Sequence, residues 1–277
     1  MRHLLNIISG HLDFVKRLPR EVIDVQPCKK PFLCKLIWGT MSFFYPRFQL
    51  CGLENIPDSP CVVVGNHAQM HGPVCGELYV PGDRAIWCNW EMMVLKEVPA
   101  YAYQDFWSKK PKYIRWFFKI MSYVIAPLAV CIFNNANTIP VYRDARLRTT
   151  LKQTLTALDE NKRVVIFPEH YEPHNHIVND FQEGFVDVAK LYYRRTGKAV
   201  SFVPMYLAPR LKKICFGKPI QFDPTADIAE ERKRMCTELM DRITEIAEGL
   251  PVHKVVPYAN LSPKDYVTNI PAEGLVK

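Results

Sequence analysis

With 277 residues, 48% of them hydrophobic and 23% charged, the chain can bury a sizeable core, and its usage is that of a globular rather than a disordered protein. Lysine plus arginine (36) exceed aspartate plus glutamate (28), a formal +8, which favours anionic partners such as phospholipid headgroups, phosphorylated small molecules or nucleic acid. The nine cysteines stand singly, with no C-x-x-C pair and an odd total, which argues against a disulfide framework or zinc ribbon and for a reducing cytosol.

The first 50 residues read as a helical appendage. In "MRHLLNIISGHLDFVKRLPR", Leu4, Leu5, Ile8, Leu12 and Val15 recur at helical spacing, while Gly10, His11 and Asp13 interrupt the apolar run and no cleavage site follows. This is an amphipathic helix against the protein body or a membrane surface, not a signal peptide. "FLCKLIWGTMSFFYPRF" (32–48) and "KKPKYIRWFFK" (109–119) interleave aromatics with cations, as interfacial membrane contacts do and as buried helices with snorkelling cations also do.

From residue 51 short apolar runs alternate with helical periodicity. Strand-sized runs fall at 61–65, 84–88, 138–142, 163–167, 200–207 and 213–217. The longest apolar stretch, 120–133, is 14 residues with Pro127 inside it, below the roughly 20 needed to span a bilayer, so no spanning helix is expected. Leu147, Leu151, Leu155 and Leu158 make one helical stripe; Ile228, Met235, Leu239, Ile243, Ile246 and Leu250 make another. The expectation is an α/β domain over 51–250, with a mostly buried central sheet flanked by helices, followed by an extended, proline-rich tail over 251–277.

Four signals fall at the predicted strand ends, where α/β proteins place ligands. They are Asn66-His67 after "CVVVG", Arg143 after "NTIPVY", Glu169 after "VVIFP", and "FVPMYL", a strand with an internal proline.

In this order the blocks resemble those of the glycerolipid acyltransferases, the family that includes 1-acylglycerol-3-phosphate acyltransferases. "GLENIP" (52–57) is similar to the family's lead-in, "NHAQMHG" (66–72) to its Asn-His-x-x-x-x-Asp block, "NTIPVYR" (137–143) to Gly-x-Ile-Pro-Val-x-Arg, "IFPEH" (166–170) to Phe-Pro-Glu-Gly, and "FVPMYL" (202–207) to its Val-Pro-Val strand. The likeness runs from about residue 50 to 220 and departs at two points. Gly72 stands where the family has its catalytic aspartate, and His170 where it has glycine.

The resemblance implies acyl transfer from a thioester donor, acyl-CoA or acyl carrier protein, to a hydroxyl of lysophosphatidate or a related lysolipid. It implies a general base at His67, with Asn66 shaping its loop, Arg143 gripping the acceptor's phosphate, and Glu169 and His170 beside the acceptor. With Gly72 in place of the aspartate, His71 and Glu77 are the candidates to orient the His67 ring. Apolar segments 87–95 and 120–133 either line an acyl groove or are plain core. No cofactor and no metal is expected; the location implied is the cytoplasmic, inner face of a membrane with an anionic surface. Two other classes stand beside this reading. One is a catalytically impaired lipid-binding homologue. The other is a metal-dependent hydrolase built from His67, His71, His170, His174 and His176 with Glu169, Glu172 or Asp180. No recognition motif accompanies the positive charge, which leaves nucleic acid out.

Overall fold

The structure, a computed structural model, describes residues 32, 39, 40, 43–108 and 110–270. The helical appendage expected over 1–50 therefore lies mostly outside the described residues.

An eight-stranded sheet organises the chain. Its strands are β1 (Gln49–Cys51), β2 (Cys61–Gly65), β3 (Arg84–Asn89), β4 (Thr138–Val141), β5 (Arg163–Ile166), β8 (Ser201–Ala208), β9 (Lys213–Phe216) and β10 (Ile220–Gln221). Their order is β1-β9-β8-β2-β5-β3-β4, with β10 also paired to β8. β8, β2, β5, β3 and β4 run parallel, while β9 and β10 oppose β8. β6 (Glu169–Pro173) and β7 (Asn179–Phe181) form a separate antiparallel hairpin just after β5.

The central strands read as continuous apolar runs because both faces are covered. Side chains alternate between two cores. Val62, Val64, Val164, Ile166, Phe202 and Tyr206 face the helices α4 (Leu147–Asp159), α5 (Asp187–Thr196) and α6 (Ile228–Glu248). Cys61, Val63, Val165, Val203, Met205 and Leu207 face α1 (His71–Tyr79), with Phe48, Ile56, Val256 and Tyr266 completing that layer. α6 begins where Asp227 accepts from the backbone N–H groups of Ala229 and Glu230. The motif glycine Gly52 sits at φ 72°, and a Cβ there would stand 2.1 Å from the Phe216 carbonyl, so only glycine allows β1 to lead into this turn.

A third, smaller core lies beside the sheet, where Met92, Val98, Ala102, Ala126 and Ala129 bring together α2 (Val98–Ala102) and α3 (Arg115–Asn135). Here the expected length is corrected. The helical segment 112–135 is 24 residues and its most apolar 18-residue window has a mean hydropathy of 1.9, long and apolar enough by length and composition to cross a membrane. Pro127 does not end it. Proline removes the bond to the carbonyl four residues back, but Pro127 and Tyr123 both lie on the exposed face, where that carbonyl need not be satisfied by the core.

Over 251–270 the described chain forms no long helix or strand, yet it is fastened down. His253 is 6% exposed and Asn269 fully buried. Asn269 accepts from the His253 N–H at 2.8 Å and donates to the carbonyls of Ala247 and Leu250 at 2.8 and 3.2 Å. The His253 ring and the Tyr206 hydroxyl meet at 2.9 Å beneath the sheet edge.

Candidate active site

Because β2, β3, β4, β5 and β8 are parallel, their C-terminal ends share one edge, and the residues singled out in the sequence mostly follow those ends. Asn66, 2% exposed, ties the loop after β2 to β8: its Oδ1 accepts from Leu207 N at 2.7 Å and its Nδ2 donates to Leu207 O at 3.1 Å. The next residues make a tight left-handed turn, with φ 46° at Ala68 and 56° at Gln69. The turn is held by His71 N–H to Ala68 O (3.1 Å), by Gly72 N–H to His67 O (2.9 Å), and by the Gln69 amide donating to Ala259 O (3.1 Å) and the Tyr266 hydroxyl (3.0 Å).

This turn explains Gly72. A Cβ at that position would lie 2.3 Å from the His67 carbonyl oxygen, closer than any side chain can come. The backbone that shapes the His67 loop therefore excludes an aspartate at residue 72.

The His67 ring is half-buried between Phe167, at 5.7 Å between centroids, and Tyr258, edge-on at 5.5 Å and 89°. Burial pushes its pKa down to about 4, opposed by weak hydrogen bonding to the backbone of Gln69 and of His67 itself, and among the described residues no partner meets its buried Nδ1 in hydrogen-bond geometry. Neither substitute orienter meets it. His71 Nδ1 stands 2.6 Å from the Tyr45 hydroxyl; its pKa is lowered by burial and then by Arg210. Glu77 lies six residues along α1, about 9 Å down the axis. It faces Arg84 at 3.7 Å, at the start of β3 and away from the site edge, and burial raises its pKa against that arginine. The expectation that Glu77 reaches back to His67 is thus corrected: helix direction turns it toward the other end of the sheet.

Glu169 is 4% exposed and works on the backbone. Its Oε2 accepts from His67 N–H at 2.5 Å and its Oε1 from Asn179 N–H at 2.9 Å, joining the His67 loop to the β6–β7 hairpin. Burial raises its pKa to about 7 against both of these bonds. Arg143 is exposed beyond β4 and, among the described residues, makes no ion pair. The carboxylates that follow it in sequence are engaged elsewhere, Asp144 with Arg146 at 2.8 Å, Asp159 with Arg195 at 2.7 Å and Glu160 with Lys162 at 2.6 Å. The positive charge of Arg143 acts on Tyr258 and Glu91, which sets it on the His67 side of the edge.

The five histidines do not converge. His170 Nδ1 accepts from Glu172 N–H at 3.3 Å, and one possible ligand atom each from His170, Glu172 and Asp180 lie within 4.8 Å of one another. His174 lies 3.7 Å from Asp180 and 3.4 Å from Asp241, His176 is 3.0 Å from Asn269 O, and His71 is on Tyr45. Segment 87–95 divides its roles: Met92 and Met93 are buried, and Met92 belongs to the small core rather than to a groove.

The residues missed in the sequence come from the C-terminal segment. Tyr258 packs on both His67 and Tyr171, and burial raises its pKa to about 12. Nothing in the aperiodic, proline-rich run around it signals this.

No protein-family model matches the chain, and no curated protein matches it. Among solved structures it is similar to the crystal structure of the 1-acyl-sn-glycerophosphate (LPA) acyltransferase PlsC from Thermotoga maritima. The identity is 15%, over 87% of this chain and 88% of that one, with a TM-score of 0.43.

Proposed function

We propose that the protein is an acyltransferase at the cytoplasmic face of a membrane, moving a fatty acyl group from acyl-CoA or acyl carrier protein to a hydroxyl of lysophosphatidate or a related lysolipid. The observation that supports this most is the arrangement at one sheet edge. A neutral imidazole, His67, sits in an aromatic frame whose Tyr258 also feels the charge of Arg143, an exposed arginine with no carboxylate paired to it among the described residues.

In this reading His67 takes the acceptor's hydroxyl proton as the oxygen attacks the thioester carbonyl. The C–S bond then breaks and the proton passes to the departing thiolate. Arg143 holds the acceptor's phosphate with two parallel N–H bonds. Glu169 keeps the His67 backbone in place and does no proton transfer. Among the described residues no carboxylate is hydrogen-bonded to the imidazolium ring, since Glu169 holds the His67 backbone N–H instead; in serine hydrolase triads loss of the ring's carboxylate lowers the rate by on the order of 10⁴-fold. The unpartnered Nδ1 is the observation that favours a second reading, a lipid-binding homologue with little or no turnover.

Transfer of labelled acyl chains to lysophosphatidate tests both. The expected result is turnover that His67→Ala abolishes, and that Arg143→Ala weakens mainly through an acceptor KM raised about tenfold or more. Absence of turnover with every acceptor, together with retained lysolipid binding, leaves the second reading.

A further inference from the structure

Among the described residues, nothing covers one apolar face of α3. Tyr113 in the turn before it, then Trp116, Ile120, Tyr123, Val124 and Leu128 recur at three- and four-residue intervals and are 48–76% exposed. Soluble surfaces seldom keep a contiguous stripe of this kind, four helical turns long, in contact with water. The other face is committed to the protein: Ser122, Ala126, Ala129 and Cys131 are buried, and the two alanines pack into the small core with Met92, Val98 and Ala102. That commitment argues against the helix crossing a membrane by itself, since spanning would strip those contacts.

Charge selects the occupant. Between Asp105 and Asp144 the sequence has no acidic residue, while Lys109, Lys110, Lys112, Arg115 and Lys119 gather at the start of the stripe. Lys110, Lys112 and Lys119 are exposed. A tryptophan and two tyrosines on the apolar side, with lysines at one end, match the boundary between acyl chains and anionic headgroups. We infer that the outer face of α3 is a monotopic membrane-docking surface, lying in the interface of a bilayer with anionic lipids. The inference deepens the membrane location proposed above by naming the surface that makes the contact.

Co-sedimentation of the full chain with vesicles of phosphatidylcholine, alone or mixed with phosphatidylglycerol, tests it without any turnover. The wild type is expected to prefer the mixed vesicles. Trp116→Glu with Tyr123→Glu should lower partitioning at least about tenfold at an unchanged unfolding midpoint. Lys110→Ala with Lys112→Ala and Lys119→Ala should remove the preference for anionic lipid. Should the glutamate pair not fold, Tyr113→Ser with Ile120→Ser reads the same surface more mildly. Wild-type partitioning retained in a folded stripe variant would overturn the inference. So would a wild type that ignores both vesicles, or a dimer that the stripe variant converts to monomer, which would assign the face to a second copy. Loss of acyl transfer with vesicle binding intact would count against the enzyme reading alone.

Discussion

At residue 72 the backbone leaves no room for choice. The 2.3 Å approach of a hypothetical Cβ to the His67 carbonyl means that Gly72→Asp, which would place an acidic residue in the block, must first push the turn apart. It is expected to destabilise the fold by about 1–3 kcal/mol and to give no gain in transfer rate; thermal unfolding and the transfer assay check the two halves. Glu169 is the second test at this scale. A glutamine can accept with only its one oxygen, so Glu169→Gln leaves a backbone N–H of His67 or Asn179 facing an amide NH₂, at a cost of about 1–3 kcal/mol. The pH dependence has a definite sign. Glu169 is raised from 4.5 to about 7, so the folded state holds its proton more tightly; this contribution is full below pH 4.5 and is lost as pH rises through 7. His67, lowered from 6.5 to about 4, contributes the opposite slope: full above 6.5, lost as pH falls toward 4. The two oppose each other between about 4.5 and 6.5, and the fall in stability near pH 7 belongs to Glu169. Urea unfolding across pH 4–8 should show that fall in the wild type and not in Glu169→Gln.

Among the elements, the C-terminal segment has the largest consequence for the site. Expected as an extended tail, it is irregular but closes over the His67 loop. Ala259 and Tyr266 receive the Gln69 amide, and Tyr258 frames the imidazole. Its anchor is Asn269, whose side chain joins His253 to the end of α6. Asn269→Ala is expected to cost about 1–3 kcal/mol by leaving the His253 N–H and the Leu250 carbonyl without the Asn269 side chain, and to slow transfer by releasing the segment from the turn. Unfolding midpoints and transfer rates measured on the same preparation check both effects. α3 teaches a related lesson. A proline inside an apolar run reads as a break when the run is taken alone, but its cost depends on which face it occupies, and the face is set by what packs on the other side.

Across the whole molecule, charge and site are arranged on one framework. The cations before and at the start of α3 and Arg143 lie on one stretch of sequence, 106–143, that has no acidic residue, so the proposed docking surface and the proposed acceptor-binding arginine share it. Vesicle binding should weaken with added salt as the screening length falls from about 10 Å at 0.1 M to about 3 Å at 1 M, and sedimentation at several ionic strengths measures it. The sequence by itself determined the framework. Fully buried parallel strands must be apolar runs, as "CVVV" and "RVVI" are, and such strands deliver the residues after them to a common edge. Asn66, His67, Arg143 and Glu169 could therefore be located before any coordinate was known. Tertiary structure alone decided their partners: Tyr45 on His71, Arg84 on Glu77, Tyr258 on His67, and the carbonyl that forbids a side chain at Gly72. The physical reason is that strand formation depends on a local pattern of burial. The pairing of a polar atom depends on which distant segment the closed chain carries past it, and Gln69 meeting Tyr266 across 197 positions leaves no trace in either neighbourhood.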